Sequence, residues 1–298
     1  MSHYTGEIAA LCTAVFWTVT SLAFERASLR IGSIALNIIR LGIGFTFLSI
    51  FNLFYRGIIF PIDASAQNWL WLGLSGLVGF LFGDLFLFKS YTIIGSRYAM
   101  LIMTLVPPIT ALAGWIVLGE KLTGMNYLGM GLTIFGISLA IFNRSNSKSG
   151  FSLKFSYKGL LFAFFGAVGQ ALGLVISKFG MKGYDPFAAT QIRIIAGFFG
   201  FAILISVVRR WRNVIDGLSN RPGMISAGIG SFFGPFLGVS FSLLAVKYTQ
   251  TGIASTIMAI VPVLIIPPAI FLFKQKVTAL EMIGAVISVT GVTLFFVS

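Results

Sequence analysis

Residues 99–139 recur without a gap at 254–294, at a constant offset of 155. Apolar sequence matches itself by chance, so the Ala, Ile, Val and Leu coincidences carry little. The pairs Pro107/Pro262, Lys121/Lys276, Thr123/Thr278, Gly129/Gly284 and Gly136/Gly291 carry the signal, because each is rare or positionally demanding in such a background. The echo extends further. Gly79/Gly234, Gly83/Gly238 and Phe86/Phe241 keep the offset of 155, while Gly6/Gly159, Ala10/Ala163, Ala14/Ala167 and Arg40/Arg193 keep one of 153. The repeat thus covers essentially the whole chain and divides it into residues 1–146 and 147–298, with the polar, Ser-rich stretch 143–158 as the joint.

What repeats is apolar. The 298 residues are 57% hydrophobic and 10% charged, against about a quarter charged in a soluble domain. A helix crossing a bilayer needs about 20 mainly apolar residues. Ten such runs can be placed, near 6–23, 34–54, 69–88, 98–118, 126–142, 157–176, 188–208, 224–245, 253–273 and 280–297. Continuous runs such as 70–88 exclude the alternating segments of a membrane β-barrel. The expected fold is therefore an all-α integral membrane protein of ten transmembrane helices, arranged as two five-helix repeats. Five is odd, so the second copy must enter the membrane from the side opposite the first, and the repeats are inverted. Ten is even, so both termini lie on one side.

The net charge of +13 suggests no nucleic-acid partner, because the basic residues sit mainly in the short connections, where Lys and Arg flank membranes. The loops on one side hold 14 basic residues, among them Arg209, Arg210 and Arg212, and those on the other hold 5. Read literally, that bias places the termini outside. One cysteine, Cys12, allows no internal disulfide, and a single histidine, His3, leaves no His-based metal cluster or catalytic triad. The start lacks the basic segment of a cleavable signal, so the first span is expected to direct insertion. No Walker-type phosphate loop is present, and neither a cofactor nor a metal is expected.

Asp84 is the one acidic residue well inside an apolar run. An ionised carboxylate at that depth costs on the order of 3 kcal/mol or more, so it should face a cavity or a partner. The second copy has Val239 at this position, so Asp84 breaks the pseudo-symmetry, as an asymmetric substrate or proton site would require. Arg40 and Arg193 correspond by the repeat and lie a turn or two into their helices, where they either anchor at the interface or bind an anion. Trp17 and Gln170 also correspond, and both are read as cavity candidates, with Asn37 and Gln191 as weaker ones. Pro107 and Pro108 in the fourth span, and Pro262, Pro267 and Pro268 in the ninth, should bend those helices by removing bonds to residues four earlier. These two spans, with the third and eighth, are the expected moving gates. Glu120 and Lys121 read as a surface cap on the fourth span, and the Gly-x3-Gly pairs as packing seams.

The run FWTVTSLAFE of the first span and Arg40 resemble the drug/metabolite transporter superfamily, specifically its ten-helix EamA-like members. FGDLFLFKSYTIIGSRYAMLIMTLVPP, LGEKLT and the Gly129/Gly136 pattern extend the resemblance over the whole chain. It implies a secondary active transporter in the cell (inner) membrane, exporting small metabolites, amino acids or drugs by alternating access. It further implies cytoplasmic termini, the reverse of the loop-charge reading; beside it, a monomer or weak dimer with coupling to a proton or counter-substrate is expected. The Gly-Glu signature occurs once, since the second copy has Lys274-Gln275-Lys276. The membrane-embedded Glu of small four-helix multidrug relatives is missing from the first span, which offers Trp17, Thr18 and Thr20. The alternatives are an integral membrane enzyme or lipid-handling protein, which would need clustered His, Asp or Glu at one face, and a channel.

Overall fold

The computed structural model describes residues 4–142, 156–265, 267–268 and 279–294, and these are helical with no strand among them. The helices are α1 Thr5–Ile31, α2 Ser33–Arg56, α3 Ala66–Gly76, α4 Asp84–Met103, α5 Val106–Leu118 and α6 Gly124–Phe142, followed by α7 Tyr157–Met181 and α8 Pro186–Val207. After them come α9 Trp211–Ser219, α10 Arg221–Ser231, α11 Val239–Tyr248, α12 Thr251–Met258, α13 Val261–Leu264 and α14 Ala279–Thr293. Six helices are long and apolar enough to cross a membrane: Thr5–Ile31, Ser33–Arg56, Ala66–Ser96, Tyr157–Met181, Pro186–Val207 and Arg221–Tyr248. Shorter apolar helices, Val106–Leu118, Thr251–Leu264 and Met282–Gly291, fall in parts of the fourth, ninth and tenth runs. Most of the joint between the halves, and the Lys121 counterpart Lys276, lie outside the described residues.

Polar residues stop these helices at the ends of the apolar runs. Ser65 and Thr123 each accept from the backbone N–H three residues on, while Asn68 and Asn126 return a bond to the Ser65 and Thr123 N–H, so two orphan donors are met at each start. Asp185 caps α8 by accepting from the N–H groups of Phe187 and Ala188. Inside the spans, hydroxyls such as Thr13, Thr18 and Ser177 donate to carbonyls four residues back, so these hydroxyl hydrogens do not face lipid.

The packing scheme maps onto itself when the copies are exchanged. α1 packs on α10 and α11, and its counterpart α7 packs on α3 and α4. α2 meets its own counterpart α8, α5 meets α12, and α6 meets α14. The α6–α14 seam is backbone on backbone: a Cβ at Gly291 would stand 2.6 Å from the Thr133 nitrogen, and one at Gly136 2.5 Å from the Gly284 oxygen. The glycines that carried the repeat signal are those that let the two copies touch.

Two features depart from the sequence reading. Pro107 and Pro262 do not bend continuous helices. The chain breaks at Thr104–Leu105 and again at Ala259–Ile260, and each proline sits in the first turn of a new helix. A proline there forfeits no bond, since first-turn N–H groups have no intrahelical partner, so the break removes the steric clash that a bend would only relieve. Pro108 shares that first turn, while Pro267 is exposed and Pro268 half-buried in a short helical stretch. The connection after the seventh run also contains a helix, α9. Its Val214 and Gly217 pack towards α1 and α2 around Ile31, Ala35 and Ile39, while Trp211, Ile215 and Leu218 are exposed.

Candidate functional site

The two Gly-x3-Gly motifs do more than form seams. Residues Leu77–Gly83 and Phe232–Gly238, which correspond at the offset of 155, are both π-helical. The wider turn shifts the hydrogen-bond register and marks functional sites in many helices. The glycines allow very close approach. A Cβ on Gly169 would stand 2.5 Å from the Gly83 Cα, and one on Gly238 2.7 Å from the Trp17 ring. These approaches seat Gln170 of α7 and Trp17 of α1, which correspond by the repeat, against opposite copies.

Immediately after the first π segment stands Asp84, 5% exposed. Its Oδ2 accepts from Arg40 Nη2 at 2.5 Å and its Oδ1 from Gln170 Nε2, also at 2.5 Å. Asn37 supports the pair: its Oδ1 accepts from Arg40 Nε at 3.0 Å, and its Nδ2 donates to the Ser33 carbonyl at 3.0 Å and more weakly to the Asp84 carbonyl at 3.4 Å. The Arg40 guanidinium also lies 4.7 Å from the Phe88 ring and 5.4 Å from the Phe80 ring, measured to their centroids. Both oxygens of the carboxylate are therefore engaged, one by charge and one by an amide, as a buried ion requires.

A cavity of about 120 Å³ opens on this network. Trp17, Arg40, Asp84, Gln170 and Arg193 line it, with aromatic and apolar neighbours such as Phe24, Phe80 and Tyr91. Val106 and Pro262, at the starts of the new helices after both breaks, line it too. Five of the seven polar or aromatic candidates from the sequence thus converge, and Asn37 stands behind them. Gln191 does not. It accepts from Asn52 Nδ2 at 2.9 Å and donates to Ser49 Oγ and to the Ile59 carbonyl, tying α8 to the end of α2 away from the cavity. The uncharged amide could be satisfied by either arrangement, so the repeat alone did not separate them.

Arg193 differs from its counterpart. It is 4% exposed, its Nε has no partner, and among the described residues it makes no hydrogen bond or ion pair; its guanidinium lies 5.0 Å from the Phe80 centroid.

The two ends of the bundle are tied unequally. At the end where α1 starts, Glu120 Oε2 accepts from the Thr251 N–H at 2.9 Å and its hydroxyl at 2.6 Å, and Glu120 Oε1 accepts from Lys178 at 2.7 Å. Glu120 therefore caps α12 of the other copy, where the sequence suggested a surface cap on its own helix. No local signal marks this, because Thr251 lies 131 residues away. Arg56, Asp63 and Tyr184 form a second tie between the copies at this end. Burial and the hydrogen bond to Asp63 push the Tyr184 phenol up to about 12. Burial raises the Asp63 carboxyl, but the Tyr184 and Arg56 contacts outweigh it and hold it below the ordinary range. At the opposite end, Ser96 donates to Glu25 at 2.5 Å just after Gly95, whose φ of 76° breaks the helix. By the repeat Ser96 matches Thr251 and Glu25 matches Lys178, so these are equivalent positions with a weaker link. Glu120→Ala should lower the unfolding free energy by about 1–2 kcal/mol through the missing cap and ion pair, and Glu120→Gln by less than half of that. Thermal unfolding of the purified variants in detergent measures the difference.

Comparison with known proteins agrees with this architecture. The model of the EamA-like transporter family matches residues 4–142 and again 157–297. The uncharacterized transporter YyaM of Bacillus subtilis (strain 168) is 26% identical over 261 residues, which is 85% of this chain and 81% of that protein. A solved crystal structure, described only as that of a protein, superposes with a TM-score of 0.70 at 16% identity, covering 99% of this chain and 98% of the other.

Proposed function

Because the chain belongs to the EamA-like transporter family, and is thus a multi-pass membrane transporter rather than an enzyme, we propose that it is a secondary transporter working by alternating access. Its substrate site is the cavity between residues 1–146 and 147–298, the two inverted five-helix copies. The observation that carries this reading is the meeting, at one cavity, of both helix breaks and the Arg40–Asp84–Gln170 network. A site at a repeat interface, bounded by interrupted helices, can be exposed to either side by rocking one copy against the other.

The state described here is closed at the end where α1 starts. There the Glu120 and Asp63 ties join the copies, and Ser177 and Val246 do not line the cavity. At the other end their counterparts Phe24 and Tyr91 line the cavity, so it leans towards the end where α1 stops. The gates are the segments after the breaks, α5 and α13, with the π segments beside them. We place both termini in the cytoplasm and the direction of transport outward; a reporter fused at Ser298 reads the first, and uptake into everted vesicles the second.

Counterflow in proteoliposomes with a metabolite panel, run with and without a pH gradient, tests the transport reading. Saturable exchange of at least one compound is expected, and its rate should respond to the gradient if a proton is the coupling ion. Exchange that never saturates would indicate a channel and contradict the reading.

A further inference from the structure

The cavity holds one positive charge too many. Arg40, Asp84 and Arg193 are the charged residues on its described wall, and Asp84 is taken by Arg40. The repeat shows what Arg193 lacks. In the first copy, Arg40 meets the carboxylate of Asp84, and its Nε is held by Asn37. The position equivalent to Asp84 in the second copy is Val239, which also lines the cavity, and the position equivalent to Asn37 is Thr190, whose hydroxyl donates to Pro186. The second copy therefore has the cation and neither of its partners. Asp84 is near enough to attract Arg193 but is bonded to Arg40, so the Arg193 guanidinium is left without an ion pair at a depth where that is costly, and its planar fork of donors suits a carboxylate.

From this we infer that the substrate is an organic monoanion, a carboxylate on an apolar or aromatic body, whose carboxylate docks on Arg193 beside Val239 and so supplies the anion that the second copy lacks. The inference rests on the transport reading and names its substrate class. One negative charge brings the wall to neutrality, whereas a phosphate monoester would overshoot it. Cations and zwitterions fit less well, because an ammonium group would need the Asp84 oxygens, and Gln170 and Arg40 hold both. The remaining wall suits the body of such a molecule: Trp17, Phe80 and Leu174 present rings and aliphatic surface.

The test compares four molecules with one body, 3-phenylpropionate, 3-phenylpropionamide, 3-phenylpropylamine and phenylalanine, as thermal stabilisers of the full chain in detergent and as counterflow substrates in proteoliposomes. Sodium chloride and sodium phosphate at equal concentration serve as inorganic controls. The carboxylate should stabilise most, with the amide, amine and zwitterion needing about tenfold or more higher concentration for the same shift. Arg193→Gln should erase that preference and Arg193→Lys restore part of it. Val239→Asp guards against a variant that fails to fold: it gives Arg193 an internal carboxylate, so it should raise the melting temperature of the empty protein while weakening carboxylate binding about tenfold or more. Equal stabilisation by amide and carboxylate, by chloride and carboxylate, or an unchanged carboxylate preference in Val239→Asp, would overturn the inference. Exchange of amines in preference to carboxylates would sink the substrate class and leave the transport reading intact. Carboxylate binding without exchange of any compound would do the reverse.

Discussion

Asp84→Ala is expected to abolish transport and to lower the unfolding free energy by about 3–5 kcal/mol, because it strands the Arg40 guanidinium, 3% exposed, without its anion. The destabilisation should exceed whatever the Asp84 side chain contributes through its own packing. A buried pair contributes little net stability compared with apolar packing, but half a pair leaves a desolvation penalty with nothing to offset it. Two companion variants separate stability from function. Asp84→Asn keeps the volume and the Gln170 neighbour, and should retain more stability while transport is still abolished. Arg40→Met combined with Asp84→Leu removes both charges and should recover most of the stability and none of the transport. Thermal unfolding in detergent and counterflow in proteoliposomes, on the same preparations, report the two quantities.

Gly169→Val is expected to cost about 1–3 kcal/mol and to reduce transport severely, although a glycine has no side chain to make a polar bond. Its Cβ would stand 2.5 Å from the Gly83 Cα and 2.8 Å from the Gly83 nitrogen, so the backbones of α7 and the first π segment must separate. Gln170 is the next residue, and its amide would be carried off the Asp84 carboxylate. The control is Gly131→Val, where an added Cβ meets open space. It should leave the melting temperature and the transport rate close to those of the parent. Equal behaviour of the two variants would mean that the close approach at Gly83 is dispensable.

The repeat marked in advance which positions are equivalent, though not which helices pair, because the residues that survive in both copies are those whose geometry is shared. Across the α6–α14 seam Gly136 packs on Gly284 and Gly291 on Gly129, and Pro107 and Pro262 begin new helices at equivalent breaks. Asp84 was legible for the opposite reason: an acid in an apolar run is costly enough to demand a partner, and Arg40 proved to be it. Three features were not legible. The π segments leave no signature beyond glycine spacing that also suits ordinary close packing. The cap of α12 by Glu120 depends on tertiary proximity across the two copies. Helix α9 hid within a basic connection because its apolar face is only a few residues long. Gln191 shows the limit of reasoning from polarity alone, since a buried amide needs a partner but does not specify whether that partner is substrate or protein.

Alternating access at the central cavity is tested most directly by asking from which side one cavity residue can be reached. With Cys12 replaced by serine, Ser255→Cys places a thiol on the cavity wall with little change in volume. A membrane-impermeant thiol reagent is then added to sealed vesicles of known orientation, from one face and, separately, from the other. Labelling from both faces is expected, with 3-phenylpropionate slowing each. Labelling from one face only, in protein that exchanges substrate in counterflow, would contradict alternating access.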